Sequence, residues 1–261
     1  MRSLFVFLTA VLMIQGTAGA RNILPLPAHQ KELAIVIDDL GNDMKGTEEI
    51  LHLPVTLTLA IMPFLPSTKA DAENARRFGH EVIVHLPMEP VSGKASWLGP
   101  GAILTSLSNE EIRSRVEKAI DDVPYAVGVN HHMGSKATAD DRLMRIVLEV
   151  CKERGLFYLD SKTTGKSVIP KLARELEVPY LENKLFFDDV YTLQHIGKQA
   201  KHLFHELDES ESTIAIGHVG VTGMKVAVML KEFIPLYEKK ASIVPLSNLI
   251  SEYHLIDESM P

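Results

Sequence analysis

Eight short apolar runs alternate with helix-like stretches along this chain, and that alternation leaves few folds open. The runs occupy residues 33–37, 55–61, 81–85, 126–129, 156–159, 185–187, 213–216 and 242–244. The first, Leu33-Ala34-Ile35-Val36-Ile37, is apolar at every position rather than every second one. That is how a strand covered on both faces reads. Helical patterns fall at 47–51, 67–78, 108–120, 140–154, 167–176, 192–207 and 224–239. Ser67 is a candidate N-cap, and Ser108-Asn109-Glu110-Glu111 spells a capping box. Strand–helix alternation of this kind builds a parallel sheet overlaid with helices. Eight units in about 225 residues suit a closed (β/α) barrel of seven or eight parallel strands. A doubly wound open sheet is the rival, but no glycine-rich phosphate loop follows the first run.

The residues at the ends of the runs point to a site. They are Asp38-Asp39, Met62-Pro63, His85, Asn130-His131-His132, Asp160-Ser161, Asp188-Asp189, His218 and residues 245–247. A purely structural barrel has no need of titratable groups at nearly every strand exit, whereas barrel active sites are assembled there. Asp38 and Asp39 are neighbours, and on a regular strand they would face opposite ways. For both to serve one site the strand must already curl at Asp39, a bend that Gly41 would permit. The bland alternative is a turn in which one aspartate caps the next helix.

Residues 1–20 stand apart. Arg2 is their one charge, 4–14 is mostly apolar, and Ala18-Gly19-Ala20 is a small-residue cleavage pattern. This reads as a secretory signal peptide, followed by a lead at 21–32 and one domain at 33–258. The expectation is an exported protein, periplasmic or extracellular, with no stable membrane span after cleavage. With 27 basic and 34 acidic residues the formal charge is −7, which argues against a nucleic-acid partner. Cys151, the lone cysteine, lies in an apolar helical pattern and reads as a buried thiol.

Asp, His and His converging on one point are ligands for Zn²⁺ or a similar divalent ion. With a second carboxylate to take a proton and a further histidine to give one, such a set suits ester or amide hydrolysis. The chain resembles the polysaccharide deacetylases, in their divergent bacterial branch. The stretches that carry the resemblance are Val36-Ile37-Asp38-Asp39-Leu40-Gly41, Ala60-Ile61-Met62-Pro63-Phe64, His85-Leu86-Pro87-Met88-Glu89-Pro90, Asn130-His131-His132-Met133-Gly134-Ser135 and Ile216-Gly217-His218-Val219-Gly220. The similarity runs from about Leu33 to Leu246, and the family fold is a distorted (β/α) barrel.

The resemblance implies Asp38 as general base and Asp39, His85 and His132 as metal ligands. His218 would be the acid that protonates the leaving group, and the substrate an N-acetylated, or O-acetylated, glycan. One departure stands out. The mainstream family takes both metal histidines from one motif, a helical turn apart. Here that second position is Glu89, with Pro87 intervening, so the second histidine comes from another strand. The mainstream family's arginine-containing motif has no clear counterpart.

Glu89, Trp97, Asn130, Ser135 and Asp160 are expected beside these residues, against substrate or behind the ligands. Glu89 could equally close a loop, Asp160 could cap a turn, and Trp97, in the long segment 91–107, could plug that loop onto the barrel instead of stacking on a sugar. His131 reads as a neighbour and not a ligand. Asp188-Asp189 reads as an acidic rim or a cap, and His195, His202 and His205 as surface residues. Besides the hydrolase, an envelope polysaccharide-binding or scaffold protein without turnover fits the sequence. A glycosidase with two carboxylates ranks last, because adjacent aspartates cannot flank a scissile bond.

Overall fold

The computed structural model describes residues 31–250. The expected signal peptide, nearly all of the lead and the last residues of the expected domain lie outside this range. Among the described residues nine strands form one sheet: β1 (Glu32–Leu40), β2 (Thr58–Ile61), β3 (Glu81–Met88), β4 (Gly128–Met133), β5 (Phe157–Asp160), β6 (Tyr180–Glu182), β7 (Leu185–Phe186), β8 (Ser212–His218) and β9 (Ser242–Ile243). Seven helices intervene: α1 (Thr47–Leu51), α2 (Thr68–Arg77), α3 (Asn109–Asp122), α4 (Asp141–Glu153), α5 (Ile169–Leu176), α6 (Leu193–Glu209) and α7 (Gly223–Tyr237).

Every ladder is parallel, in the order β6-β5-β4-β3-β2-β1-β8-β7, with β9 paired to β1. The two ends, β6 and β7, are joined by Asn183 and Lys184 alone. Three Cα steps span roughly 11 Å at most, so the sheet must curl until its ends nearly meet. This is the distorted barrel, closed by a covalent link where the hydrogen-bond ladder stops. Residues 180–182 were not expected as a strand; three residues carry too little periodicity to announce one.

Side chains alternate between two cores, as strand geometry requires. Leu33, Ile35 and Ile37 of β1 face the helices, together with Leu59, Val84, Val129 and Tyr158. Ala34, Val36, Ala60, Ile83, Leu159, Ile214 and Ile216 fill the interior, which Leu246 and Leu249 also join. The helices begin largely where the sequence places them. Ser108 and Glu111 form the capping box of α3, Asp140 caps α4 through Leu143 N, and Thr192 caps α6. Ser67 sits at the N-cap of α2 but makes no cap bond. Its hydroxyl donates to Asp71 and accepts from Asp43 N, while Asp71 also accepts Gly41 N at 2.8 Å.

Two irregularities shape the mouth of the barrel. The β1–β2 register shifts between Ile37 and Leu40, and Asp39 takes a left-handed φ of 72°. A bulge of this kind turns one side chain to the other face, so Asp39 joins Asp38 inside. The curl is at Asp39 itself. Gly41 follows with φ 121°, where a Cβ would lie 2.8 Å from Met62 O, so only glycine fits. Neither aspartate caps a helix, because α1 starts behind Gly46. The second irregularity is the segment after β3. That strand runs on through Pro87 to Met88, and Pro87 O and Glu89 N both bond to Ile103. The loop between them, with a single 3₁₀ turn at Ala95–Trp97, is thereby tied across the mouth.

Candidate active site

Extending the interior rows past the apolar core leads to the polar residues. Ala34 and Val36 are followed by Asp38, Ile83 by His85, Phe186 by Asp188, and Ile216 by His218. On β4, Asn130 and His132 share one parity. In the ladders Asp38 lies beside His218 and His85 beside Asn130. β2, which separates β1 from β3, contributes the small Ala60 to the interior and leaves room for groups to meet across it.

Three donor atoms converge: Asp39 Oδ1, His85 Nε2 and His132 Nδ1, all within 4.8 Å of one another. His85 Nε2 is 3.2 Å and His132 Nδ1 2.9 Å from Asp39 Oδ1. Both imidazoles are pinned from behind. His85 Nδ1 lies 2.7 Å from Asn130 Oδ1, and His132 Nε2 lies 2.9 Å from the Trp97 carbonyl oxygen. Each of those oxygens can only accept, so each holds a proton on the far nitrogen and turns a lone pair toward Asp39. Asp39 Oδ1 and His85 Nε2 are buried and lack a well-formed hydrogen bond. Three lone pairs facing one another need a cation among them or protons on the imidazoles. An Asp-His-His donor set of this spacing fits a divalent ion of zinc type.

The electrostatics follow from the same packing. Burial pushes the Asp39 carboxyl up, but the close imidazoles of His132 and His85 and the charge of His218 outweigh it and hold the group well below the usual range. Burial alone would push His85 down; the charges of Asp38 and Asp39 reverse this and raise it. Asp38, 1% exposed, is raised chiefly by burial, against the opposing charges of His85 and His218. A carboxylate held this way is a better proton acceptor than one in water.

His218 has a partner that sequence reasoning missed. Asp188, 2% exposed, accepts from His218 Nδ1 at 2.8 Å and from its backbone N at 3.1 Å, and Thr222 donates to the same carboxylate. Asp188 is therefore neither a rim residue nor a cap. Burial lowers the His218 pKa, but the Asp188 hydrogen bond and charge, with Asp39 and Asp38 behind them, carry it up to about 10. Phe186 stacks on the ring at a centroid distance of 5.9 Å and fixes its plane. Interior parity was the available signal, since Asp188 follows Phe186 by two. Asp189 does lie at the rim, exposed and paired with His195.

Other expected site residues do different work. Glu89 clasps the long loop: its carboxylate accepts from Thr105 N, Thr105 Oγ1 and Lys136 Nζ. Ser135 Oγ accepts from Val91 N and closes the same loop. Asp160 belongs to the outward row with Tyr158, not to the interior; it accepts from Lys162 N and Ser167 Oγ, so it caps a turn and orients no ligand. His131 also faces outward, between Tyr158 and Thr163, and burial with the charges of His85 and His132 lowers its pKa to about 3. Trp97 is no plug. The residue is 57% exposed, with Lys94 Nζ 5.3 Å from the ring centroid, while its carbonyl holds His132. Cys151 is buried, as expected.

Known proteins share this framework. Of solved structures, the uncharacterized protein ATU2773 from Agrobacterium tumefaciens C58 superposes with a TM-score of 0.77 at 21% identity, over 85% of this chain and 90% of that one. The Bc1960 peptidoglycan N-acetylglucosamine deacetylase has the same fold, with a TM-score of 0.54 at 16% identity over 85% and 89% of the two chains. The uncharacterized protein YibQ of Escherichia coli (strain K12) is 32% identical over 235 residues, which is 90% of this chain and 72% of YibQ. The profile of the family described as "Divergent polysaccharide deacetylase" matches residues 35–250, from the first strand's core to the end of the described chain. With the curled sheet and its Asp-His-His mouth, that match places this chain in the divergent polysaccharide deacetylase family.

Proposed function

We propose that this protein is an exported hydrolase that removes acetyl groups, from amide nitrogen or ester oxygen, on a glycan. The observation that carries the reading is the convergence of Asp39, His85 and His132 with both imidazoles pinned so that their lone pairs face the carboxylate. These three would hold a divalent ion, zinc by donor type. When bound, such an ion polarises the acetyl carbonyl and acidifies a water beside it. Asp38 accepts the proton of the attacking water. His218, protonated at neutral pH, gives its proton to the departing sugar nitrogen as the carbon–nitrogen bond breaks, releasing acetate and an amine. Asp188 holds that proton on the Nδ1 side and leaves Nε2 as the donating edge. Export rests on residues 1–20 of the sequence. Among the described residues no helix is long and apolar enough to cross a membrane.

Protein purified without added metal should carry zinc or take it up stoichiometrically, and should release acetate from an N-acetylglucosamine oligomer. Elemental analysis and an acetate assay measure the two. Retention of the oligomer without acetate release would favour a binding or scaffold protein instead. Trp97 offers the glycan an exposed aromatic face, and the loop beneath it is tied down by Glu89, Ser135 and Ile103. Trp97→Ala should therefore weaken oligomer binding by about 1–3 kcal/mol and leave the melting temperature nearly unchanged. A lowered melting temperature with unchanged binding would rule out the stacking role.

A further inference from the structure

We infer that Asn130 is a positioning residue that sets the proton on His85 and the aim of Asp38 with a single amide. The inference rests on the hydrolase reading above and names a group on which both its metal site and its base depend. Asn130 is fully buried. It sits beside His85 in the β3–β4 ladder and reaches across the interior, past β2, to Asp38 on β1. Its Oδ1 lies 2.7 Å from His85 Nδ1, and its Nδ2 donates to Asp38 Oδ1 at 2.8 Å.

The logic is one of donors and acceptors. An ionised Asp38 can only accept, so the amide must turn Nδ2 toward it. That leaves Oδ1 for His85, which must then carry its proton on Nδ1. Nε2 is left with the lone pair that a cation beside Asp39 requires. The opposite amide orientation would set Oδ1 against the Asp38 carboxylate, losing that bond, and would make His85 Nδ1 the acceptor, which moves the imidazole proton to Nε2 and removes the lone pair facing Asp39. A hydrophobic residue of similar size would fill the space and specify neither partner. Partners of this kind behind a ligand histidine fix its tautomer and ring orientation; here the same group also aims the proton acceptor. The bridge is neutral, so it fixes Asp38 without adding to the charges of His85 and His218 that already act on it.

The test uses the full-length protein carrying Asn130→Ala, or Asn130→Ser, whose hydroxyl reaches at most one of the two partners. Each is made alone and in an Asp38→Asn background. Zinc is titrated calorimetrically into metal-free protein, and kcat and KM for acetate release are measured at saturating zinc. Both single variants should bind zinc about 10–100-fold more weakly. At saturating zinc their kcat should fall by about 10²-fold or more with little change in KM. In the Asp38→Asn background the additional loss in kcat should vanish, because the group being aimed is gone, while the loss in zinc affinity should remain. Unchanged zinc affinity, or an equal further loss of kcat in that background, would overturn the inference. So would losses that merely track a lowered melting temperature in both variants. Acetate release with zinc affinity indifferent to Asn130 would remove this inference and leave the hydrolase standing. Zinc binding that depends on Asn130, with no acetate released by wild type, would remove the hydrolase and keep the action on His85. Wild type that takes up no zinc would overturn both.

Discussion

Asp38→Asn should keep its zinc and lose turnover by about 10²–10⁴, whereas Asp39→Asn should lose both. The two residues are adjacent in sequence and share one cavity, yet their surroundings differ. Asp39 Oδ1 is the atom on which His85 and His132 converge, at 3.2 and 2.9 Å. An amide there removes the only negative charge of the ligand set, and its NH2 end cannot bind a cation. Asp38 accepts from Asn130 Nδ2 and lies 3.7 Å from His85 Nδ1, the ring nitrogen that faces away from Asp39, and it is not among the donor atoms. An amide oxygen in its place can still accept from Asn130, so the cavity keeps its shape and loses only the proton acceptor. If the pair served only to end a strand, both changes would cost stability alone, about 0.5–2 kcal/mol, with no metal phenotype. Bound metal, melting temperature and acetate release measured on both variants distinguish these outcomes. Equivalent behaviour of the two in all three measurements would defeat the division of labour.

What the sequence reveals and conceals here follows from strand parity. The buried strands other than β6 carry apolar runs, so their existence and order along the chain could be read directly, and with them the barrel. The interior rows could be read as well. Val36 and Asp38, Ile83 and His85, Ile216 and His218 are pairs two apart, and such pairs share a face. Asp39 breaks parity, and only the left-handed residue within the bulge brings it inside. Adjacent acids required a curl at Asp39, and the bulge supplies it at that residue. Asp188 kept parity and was still misread, because β7 is two residues long and an Asp-Asp pair after a short run looks like a rim. Asp160 is the converse. It stands at a strand exit like the others, but one residue out of phase with Leu159, and so faces the helices. The clasp by Glu89 and the Asn130 bridge join residues 16 and 92 positions apart, respectively. No local pattern encodes such contacts.

The second large effect belongs to Asp188. His218 can protonate a leaving group only while it carries two protons, so the rate should fall as pH rises through its pKa. In the metal-free protein that pKa stands at about 10, lifted first by the Asp188 bond and charge and then by Asp39 and Asp38. A cation held at Asp39 cancels part of the last contribution and brings the wild-type alkaline limb below this value. Asp188→Asn removes the largest lifting cause and leaves burial, which acts downward. A lost carboxylate neighbour is worth about 1–3 pH units, so the alkaline limb of kcat should move toward acid by that amount. The variant should be most impaired at and above pH 8 and recover part of its rate near pH 6, where His218 is protonated again. Zinc affinity should hardly change, because Asp188 is not among the donor atoms. A profile of kcat against pH at saturating zinc, with metal content measured in parallel, decides the matter. If the limb stays in place while the rate falls uniformly, Asp188 orients the ring without tuning it. If zinc is lost as well, His218 and Asp188 belong to the metal site instead of acting across from it.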